Sequence, residues 1–192
     1  KHSVYRFRLT YAGNGPAPVY LSFLSWVIQQ AMADGIKKLF LLGRDGYYWE
    51  KAIRLIGADK QTGLEFHYLH SSRKVLNFAS FESLDEKAME FLLTPNPQLR
   101  VRDFIDRTGL DSGQFMDVIT AAGLDDPDKV LTTKMGGKFL HEQERSSLRN
   151  VFILLKDELE ALFKHDRWGF MHHLSSRGFN LEDSALVAIG WQ

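Results

Sequence analysis

The chain of 192 residues contains no cysteine, which excludes disulfide bonds, thiolate metal sites and a cysteine nucleophile. It also has no net charge, because 24 lysines and arginines balance 24 aspartates and glutamates. A balanced chain has no overall field that attracts nucleic acid or an anionic membrane surface. No apolar run approaches the roughly 20 residues of a membrane span. We therefore expect a cytoplasmic protein without a membrane span, whose partner is a small molecule or a protein and not nucleic acid.

Hydrophobic residues make up 44% of the chain, enough to bury one substantial core. Four segments have the pattern of strands, one from its alternation of apolar and charged residues and three from short apolar runs. They are residues 4–11, 37–43, 65–70 and 185–189. The segments that join the first three have apolar residues at helical spacing, as expected where parallel strands connect through crossover helices.

The pattern changes between residues 83 and 180, where helical segments follow one another and no strand pattern is present. One of them, with leucines at three- and four-residue steps, predicts a single long helix over 142–164. The chain as a whole predicts an α/β fold, a Rossmann-like and mainly parallel sheet with a helical lobe inserted before the last strand. The predicted core comprises residues 1–82 and 181–192, and the lobe comprises 83–180. Because the sequence starts without Met and stops just after an apolar run, we expect a fragment that contacts other domains of a longer protein.

Ligands of open α/β sheets bind beyond the carboxyl ends of the strands. Three predicted strands end in glycine-rich or polar sequences. These are Gly43-Arg44-Asp45-Gly46, His70-Ser71-Ser72-Arg73 and Gly190-Trp191-Gln192. Right-handed crossovers between parallel strands place such ends on one edge of the sheet. We therefore predict a site at this edge, with residues 43–46 as a loop before a helix over 47–57.

The first of these segments carries a basic residue, Arg44, and an acidic residue, Asp45, between two glycines. Asp45 is a candidate nucleophile, general base or metal ligand, with Arg44 facing an anion. The alternative is an internal ion pair between Arg44 and Asp45 that only shapes the loop. Gly46 permits close approach of a backbone.

The other two segments supply candidate binding groups. Ser71 and Ser72 precede a predicted helix, whose exposed N–H groups and dipole would form an anion site together with Arg73. The alternative is an ordinary serine N-cap, with Arg73 solvated or salt-bridged. Trp191 is a candidate lid or stacking platform, whereas the commoner role of tryptophan is to fill a core.

Short motifs spread along nearly the whole chain form a characteristic combination. They are Gly15-Pro16, Phe23-x-x-Trp26, Leu42-Gly43-Arg44-Asp45-Gly46-Tyr47, Tyr68-Leu69-x-Ser71-Ser72-Arg73, Val101-Arg102-Asp103-Phe104 before Gly109-Leu110-Asp111, and Val187-Ala188-Ile189-Gly190-Trp191. Together they resemble the C-terminal region of predicted haloacid-dehalogenase-like hydrolases, large bacterial proteins associated with surface-polysaccharide biosynthesis.

The resemblance implies a nucleophile loop in which a strand is followed by Asp-x-Asp-x-Thr or Val, with Tyr replacing the second Asp in some members. Asp45 and Tyr47 match this pattern, while Trp49 stands where the Thr is expected. The family also carries an acid before Ile-Gly-Trp, where this chain has Ala188.

Two functions follow as expectations. The first is a hydrolase domain that binds a phosphorylated or nucleotide-linked sugar and hydrolyses a phosphate ester, with Mg²⁺ as a cofactor held by Asp45. In it Asp45 is catalytic, and the substrate-binding residues are Arg44, Gly46, Ser71, Ser72, Arg73 and Trp191. The second is a non-catalytic binding or scaffolding module of a larger polysaccharide-biosynthesis protein.

Overall fold

A computed structural model describes residues 16–95, 100–131, 133–134 and 139–188. The first elements in chain order are α1 (Pro16–Ala33), β1 (Lys38–Leu42), α2 (Gly43–Ile56), α3 (Ala58–Thr62), β2 (Glu65–Leu69), α4 (Arg73–Ser80), α5 (Glu86–Leu93) and α6 (Val101–Asp106). They are followed by a 3₁₀ turn (Ser112–Phe115), α7 (Met116–Ala121), β3 (Thr133–Lys134), β4 (Phe139–Leu140), α8 (Glu142–Leu154), α9 (Lys156–Ser176) and β5 (Ser184–Val187).

The chain divides into two compact units. The first, the sheet unit, comprises the described residues up to Ser72 together with those from His173 onward. The second, the helical unit, comprises Arg73–His172. Each unit has a hydrophobic core of its own. The division predicted from the sequence, with a lobe over residues 83–180, stays a prediction.

The sheet unit contains a three-stranded parallel sheet in the order β2-β1-β5. The α/β class predicted from the sequence is confirmed by this sheet and the helices that connect its strands. The three segments predicted as these strands were placed correctly to within a residue or two. The apolar run is clearest in β1, where four of the five residues are buried, as expected for a strand inside a parallel sheet. The predicted strand over 4–11 lies outside the described residues.

One face of the sheet is covered by α1 and α2. The alternate residues Leu39 and Leu41 of β1 pack in one cluster with Leu24 of α1 and with Trp49 and Ile53 of α2. All five side chains are almost completely buried. At about 1.5–3 kcal/mol for each fully buried large apolar side chain, this cluster is the main force that holds the two helices on the sheet.

The join between β1 and α2 differs from the prediction. The sequence predicts a loop over residues 43–46, whereas α2 begins at Gly43 directly after Leu42, the last residue of β1. Gly43 adopts a φ of +63°, a conformation that glycine reaches without strain and that turns the chain from strand into helix within one residue. Arg44 and Asp45 therefore lie in the first turn of a helix and not in a loop.

The helical unit is built mainly from short helices around an apolar core. Its core includes Phe78, Phe104, Phe152 and Phe163, each at most 1% exposed. The predicted single helix over 142–164 is wrong. Helix α8 ends at Leu154, and after Leu155 a second helix, α9, runs to Ser176.

A short antiparallel hairpin, β3–β4, also lies in this unit, where the sequence predicts only helices and loops. Two residues per strand are too few to produce a recognisable alternation. Among the helices in the described ranges, none is both long enough and apolar enough to cross a membrane.

Candidate functional site

The carboxyl ends of β1 and β2 lie side by side, as the sequence predicts for parallel strands. Leu42 pairs with Leu69 in the parallel register, so the residues that follow each strand meet at one edge of the sheet. A Cβ atom placed on Gly43 would lie 3.9 Å from both the carbonyl oxygen and Oγ of Ser71. The first turn of α2 and the Ser71 hydroxyl therefore face the same small region, which we call the β1–α2 junction.

Ser71 brings an unused hydrogen-bonding group to this junction. Its Oγ is buried and has no hydrogen-bond partner among the residues that the structure describes. A buried hydroxyl without a partner carries a desolvation cost of about 1–3 kcal/mol. Such a group is available to a ligand atom, whose binding would remove that cost.

Asp45 is held by a residue that the sequence did not identify. The hydroxyl of Tyr20, on α1, donates a hydrogen bond of 3.3 Å to Oδ1 of Asp45. The negative charge of Asp45, partial desolvation and this hydrogen bond together raise the pKa of Tyr20 above its ordinary value of 10.0, although Arg44 opposes the shift. Tyr20 therefore keeps its proton and donates a hydrogen bond to Asp45 at neutral pH, which orients the Asp45 carboxylate toward α1.

The ion pair considered as an alternative role for Arg44 is not formed. In the described part of the chain no salt bridge joins Arg44 to Asp45, and the Arg44 side chain is exposed to solvent. A cation in the first turn is disfavoured by the positive end of the helix dipole. The Arg44 side chain thus lies at the surface in the first turn of α2.

Gly46 makes its close approach to the protein itself. It is buried, and a Cβ atom at this position would lie 2.5 Å from both the carbonyl carbon and the oxygen of Leu41. Because side chains other than hydrogen cannot fit there, Gly46 allows α2 to pack directly on the backbone of β1. This packing contact accounts for a glycine at position 46, while its predicted contact with substrate stays a prediction.

The remaining predicted residues have different placements. Ser72 is the last residue of the sheet unit and is exposed. Arg73 is exposed as well and begins α4 in the helical unit. Trp191 lies outside the described residues, so its predicted role stays a prediction.

The expected magnesium ion finds little support in the donor set. Among the described residues, no group of three or more His, Asp and Glu side chains is placed to hold a metal ion. Asp45 is one carboxylate, and one of its oxygens accepts the Tyr20 hydroxyl. Since Mg²⁺ prefers octahedral oxygen coordination, this arrangement does not by itself fit the ion, and we assign no step to it.

Two concavities of the sheet unit lie away from the junction. One, of about 240 Å³, runs between α1 and β5, and the other, of about 430 Å³, lies along α2 and β2 near Asp59 and His67. Neither is lined by Gly43, Asp45 or Ser71. The β1–α2 junction is therefore separate from both of these concavities.

Sequence reasoning missed Tyr20 because it lies on a helical face that is otherwise apolar, 25 residues before Asp45. A hydroxyl on such a face was the only available signal. Tyr47 and Tyr48 on α2 are exposed at 41% and 58%, whereas the adjacent Trp49 is buried. The first two turns of α2 therefore present aromatic groups at the surface.

A scan against protein-family models finds no match, and a search of curated proteins finds no significant relative.

Proposed function

We propose that the sheet unit binds the phosphate of a phosphorylated or nucleotide-linked sugar at the β1–α2 junction, within a haloacid-dehalogenase-like protein of surface-polysaccharide biosynthesis. The observation that carries the proposal is the proximity of Gly43 to Ser71, whose buried Oγ has no partner among the described residues. The N-terminal N–H groups of a helix and a free hydroxyl are both donors to phosphate oxygens.

The charges around the junction are compatible with an anion. Asp45 is the one acid in the first turn of α2, and it would repel a phosphate. Its Oδ1 accepts a hydrogen bond from Tyr20, which draws the carboxylate toward α1, while the neighbouring Arg44 supplies a compensating positive charge. An arginine is well suited to phosphate because its planar fork can donate two hydrogen bonds at once.

Titration calorimetry with inorganic pyrophosphate tests this binding site. We expect Arg44→Gln to weaken binding about tenfold, because it removes a charge-assisted contact. The matched control is Arg54→Gln in the last turn of the same helix, where the side chain is exposed and pairs with Glu50. Equal loss in both variants would mean that only general electrostatics is measured.

Ser71→Ala provides a second, independent test. The substitution removes a buried hydroxyl that has no partner in the described structure, so the free energy of unfolding should not fall. Pyrophosphate affinity should nevertheless decrease. Unchanged affinity in a stable Ser71→Ala variant would remove Ser71 from the site and, with it, the main support for the proposal.

Hydrolysis of a phosphate ester is the second candidate function, favoured by the orientation of Asp45. A carboxylate fixed by the Tyr20 hydrogen bond has its second oxygen available as a nucleophile or general base. Phosphate release from glucose 1-phosphate, with and without Mg²⁺, should then be lost in Asp45→Asn. Pyrophosphate binding without any phosphate release would instead support a non-catalytic binding module.

A further inference from the structure

Three aromatic side chains form a continuous cluster on the β2 side of the β1–α2 junction. The ring of Tyr47, on α2, lies 5.9 Å from the ring of Tyr68, on β2, in an edge-to-face arrangement. Tyr68 in turn lies 4.6 Å from the imidazole of His70. We call Tyr47, Tyr68 and His70 the aromatic cluster.

The cluster begins where the proposed phosphate site ends. His70 directly precedes Ser71, and Tyr47 lies one helical turn after Gly43 on α2. A turn of helix advances about 5.4 Å along its axis. The two sets of groups are therefore close enough to contact different parts of one small molecule.

The outer residues of the aromatic cluster differ from the core residues of α2 in their exposure to solvent. Tyr47 is 41% exposed and His70 is exposed, whereas Trp49 and Ile53 on the same helix are buried against the sheet. Tyr68 between them is half-buried, so Tyr47 and His70 are the exposed rings of the cluster. They present flat apolar faces with polar tips, which is the usual surface for binding ring systems.

A positive charge accompanies the cluster. Nζ of Lys51 lies 4.3 Å from the centroid of the Tyr47 ring, one turn further along α2. The ring attracts the ammonium group and so holds it beside the cluster, where its charge adds attraction for phosphate. Aromatic side chains on which bases stack, beside cations that attract phosphates, are the combination that proteins use to bind single-stranded nucleic acid, and the same chemistry suits a single nucleotide.

We propose that the aromatic cluster stacks the base of a nucleotide whose phosphates lie at the β1–α2 junction. The ligand class is thereby a nucleoside diphosphate group, free or linked to a sugar, and not a simple sugar phosphate. This inference rests on the proposed phosphate site and adds the part of the ligand that the site alone does not specify.

The test compares UDP and ADP with pyrophosphate by titration calorimetry at one salt concentration. Pyrophosphate measures the junction alone, and the ratio of its Kd to that of a nucleotide measures the base. We expect at least one nucleotide to bind about tenfold more tightly than pyrophosphate, as base stacking on an aromatic side chain provides. In Tyr47→Leu and in His70→Ala this ratio should fall toward one, with pyrophosphate affinity unchanged.

The control is Trp168→Leu, which removes an exposed aromatic ring of the helical unit and should leave the ratio unchanged. Pyrophosphate binding without any advantage for UDP or ADP would overturn the inference and leave the phosphate site standing. A nucleotide advantage that persists in both cluster variants would place the base elsewhere and overturn it as well. Failure of all three compounds to bind would remove the proposed function itself.

Discussion

At the scale of single residues, two glycines determine the shape of the β1–α2 junction. Gly43 supplies a positive φ where the strand turns into a helix, and Gly46 leaves room for the backbone of Leu41. The two requirements differ in kind, since the first concerns backbone conformation and the second concerns space. Together they bring the first turn of α2 to the edge of the sheet.

We expect Gly46→Ala to lower the free energy of unfolding by about 3 kcal/mol, because the new methyl group would overlap backbone atoms that cannot move aside. Chemical denaturation measures the change. The matched control is Gly169→Ala in the interior of α9, where a Cβ atom has no neighbour within 4 Å. That variant should gain roughly 0.5–1 kcal/mol from helix propensity. Equal effects at the two positions would contradict the packing role of Gly46.

The Tyr20–Asp45 pair predicts a pH dependence. Because Asp45 disfavours the phenolate, the pKa of Tyr20 is raised in the folded protein above its ordinary value of 10.0. The stability that the pair contributes is therefore fully present below pH 10 and is lost as the pH rises through the raised pKa. Carbon-13 NMR titration of labelled tyrosine, assigned with Tyr20→Phe, measures the shift, and Asp45→Asn should reduce it. Titration of Tyr20 at or below its ordinary pKa would contradict this electrostatic coupling.

At the scale of elements, the end of α5 shows how one side chain can stabilise the C-terminus of a helix. Arg107, which directly follows α6, donates hydrogen bonds to the carbonyl oxygens of Leu92 and of Thr94, the latter at 2.8 Å. Its guanidinium also lies 4.3 Å from the ring of Phe104. Burial lowers the pKa of Arg107 to about 10, so the side chain is still charged at neutral pH. A single side chain thus satisfies the carbonyls that a helix end leaves without partners.

Arg107→Met should destabilise the helical unit by about 3 kcal/mol, because it removes charged hydrogen bonds and leaves carbonyl oxygens unsatisfied. The matched control is Arg100→Met, just before α6. Its side chain is 53% exposed and pairs with Asp128 at the surface, so the cost should be below about 1 kcal/mol. Thermal unfolding followed by circular dichroism measures both. Similar melting temperatures for the two variants would show that Arg107 does not stabilise the end of α5.

At the scale of the whole molecule, the chain forms two units that each bury a separate apolar cluster. The core of the helical unit includes several large aromatic residues, among them Phe78, Phe104 and Phe163. A segment with a complete core is expected to fold as a unit. Helix α9 crosses the boundary at His172, so a fragment of the helical unit has to extend to Ser176.

We expect a fragment of residues 73–176 to fold without the sheet unit. Its circular dichroism spectrum should show a helical signal, and heating should abolish that signal in one cooperative transition. Phe104→Ala in this fragment should lower stability by roughly 3–5 kcal/mol, since the side chain is fully buried. A fragment with no cooperative transition would mean that the core of the helical unit depends on residues outside it.

Sequence patterns predicted the elements best where burial is continuous. The apolar run that became β1 was the clearest, because four of its five residues are buried, whereas in β2 only Leu69 is buried. The break at Leu155 was not recognisable, since no glycine or proline interrupts the pattern there and leucines continue at helical spacing on both sides. The β3–β4 hairpin was not predicted, because strands of two residues are too short to show an alternation of apolar and polar residues.

By itself the sequence determined the α/β class, the three apolar strands and the positions of Asp45 and Ser71 at strand ends, because these follow from local runs of residues. Only the tertiary structure decided that Tyr20 contacts Asp45, that Gly46 serves packing, and that Tyr47 reaches Tyr68. Such contacts join residues that are close only after helices pack on the sheet at a particular depth and rotation. No local pattern specifies that depth or rotation, since both are set by how the apolar side chains of the two surfaces fit together.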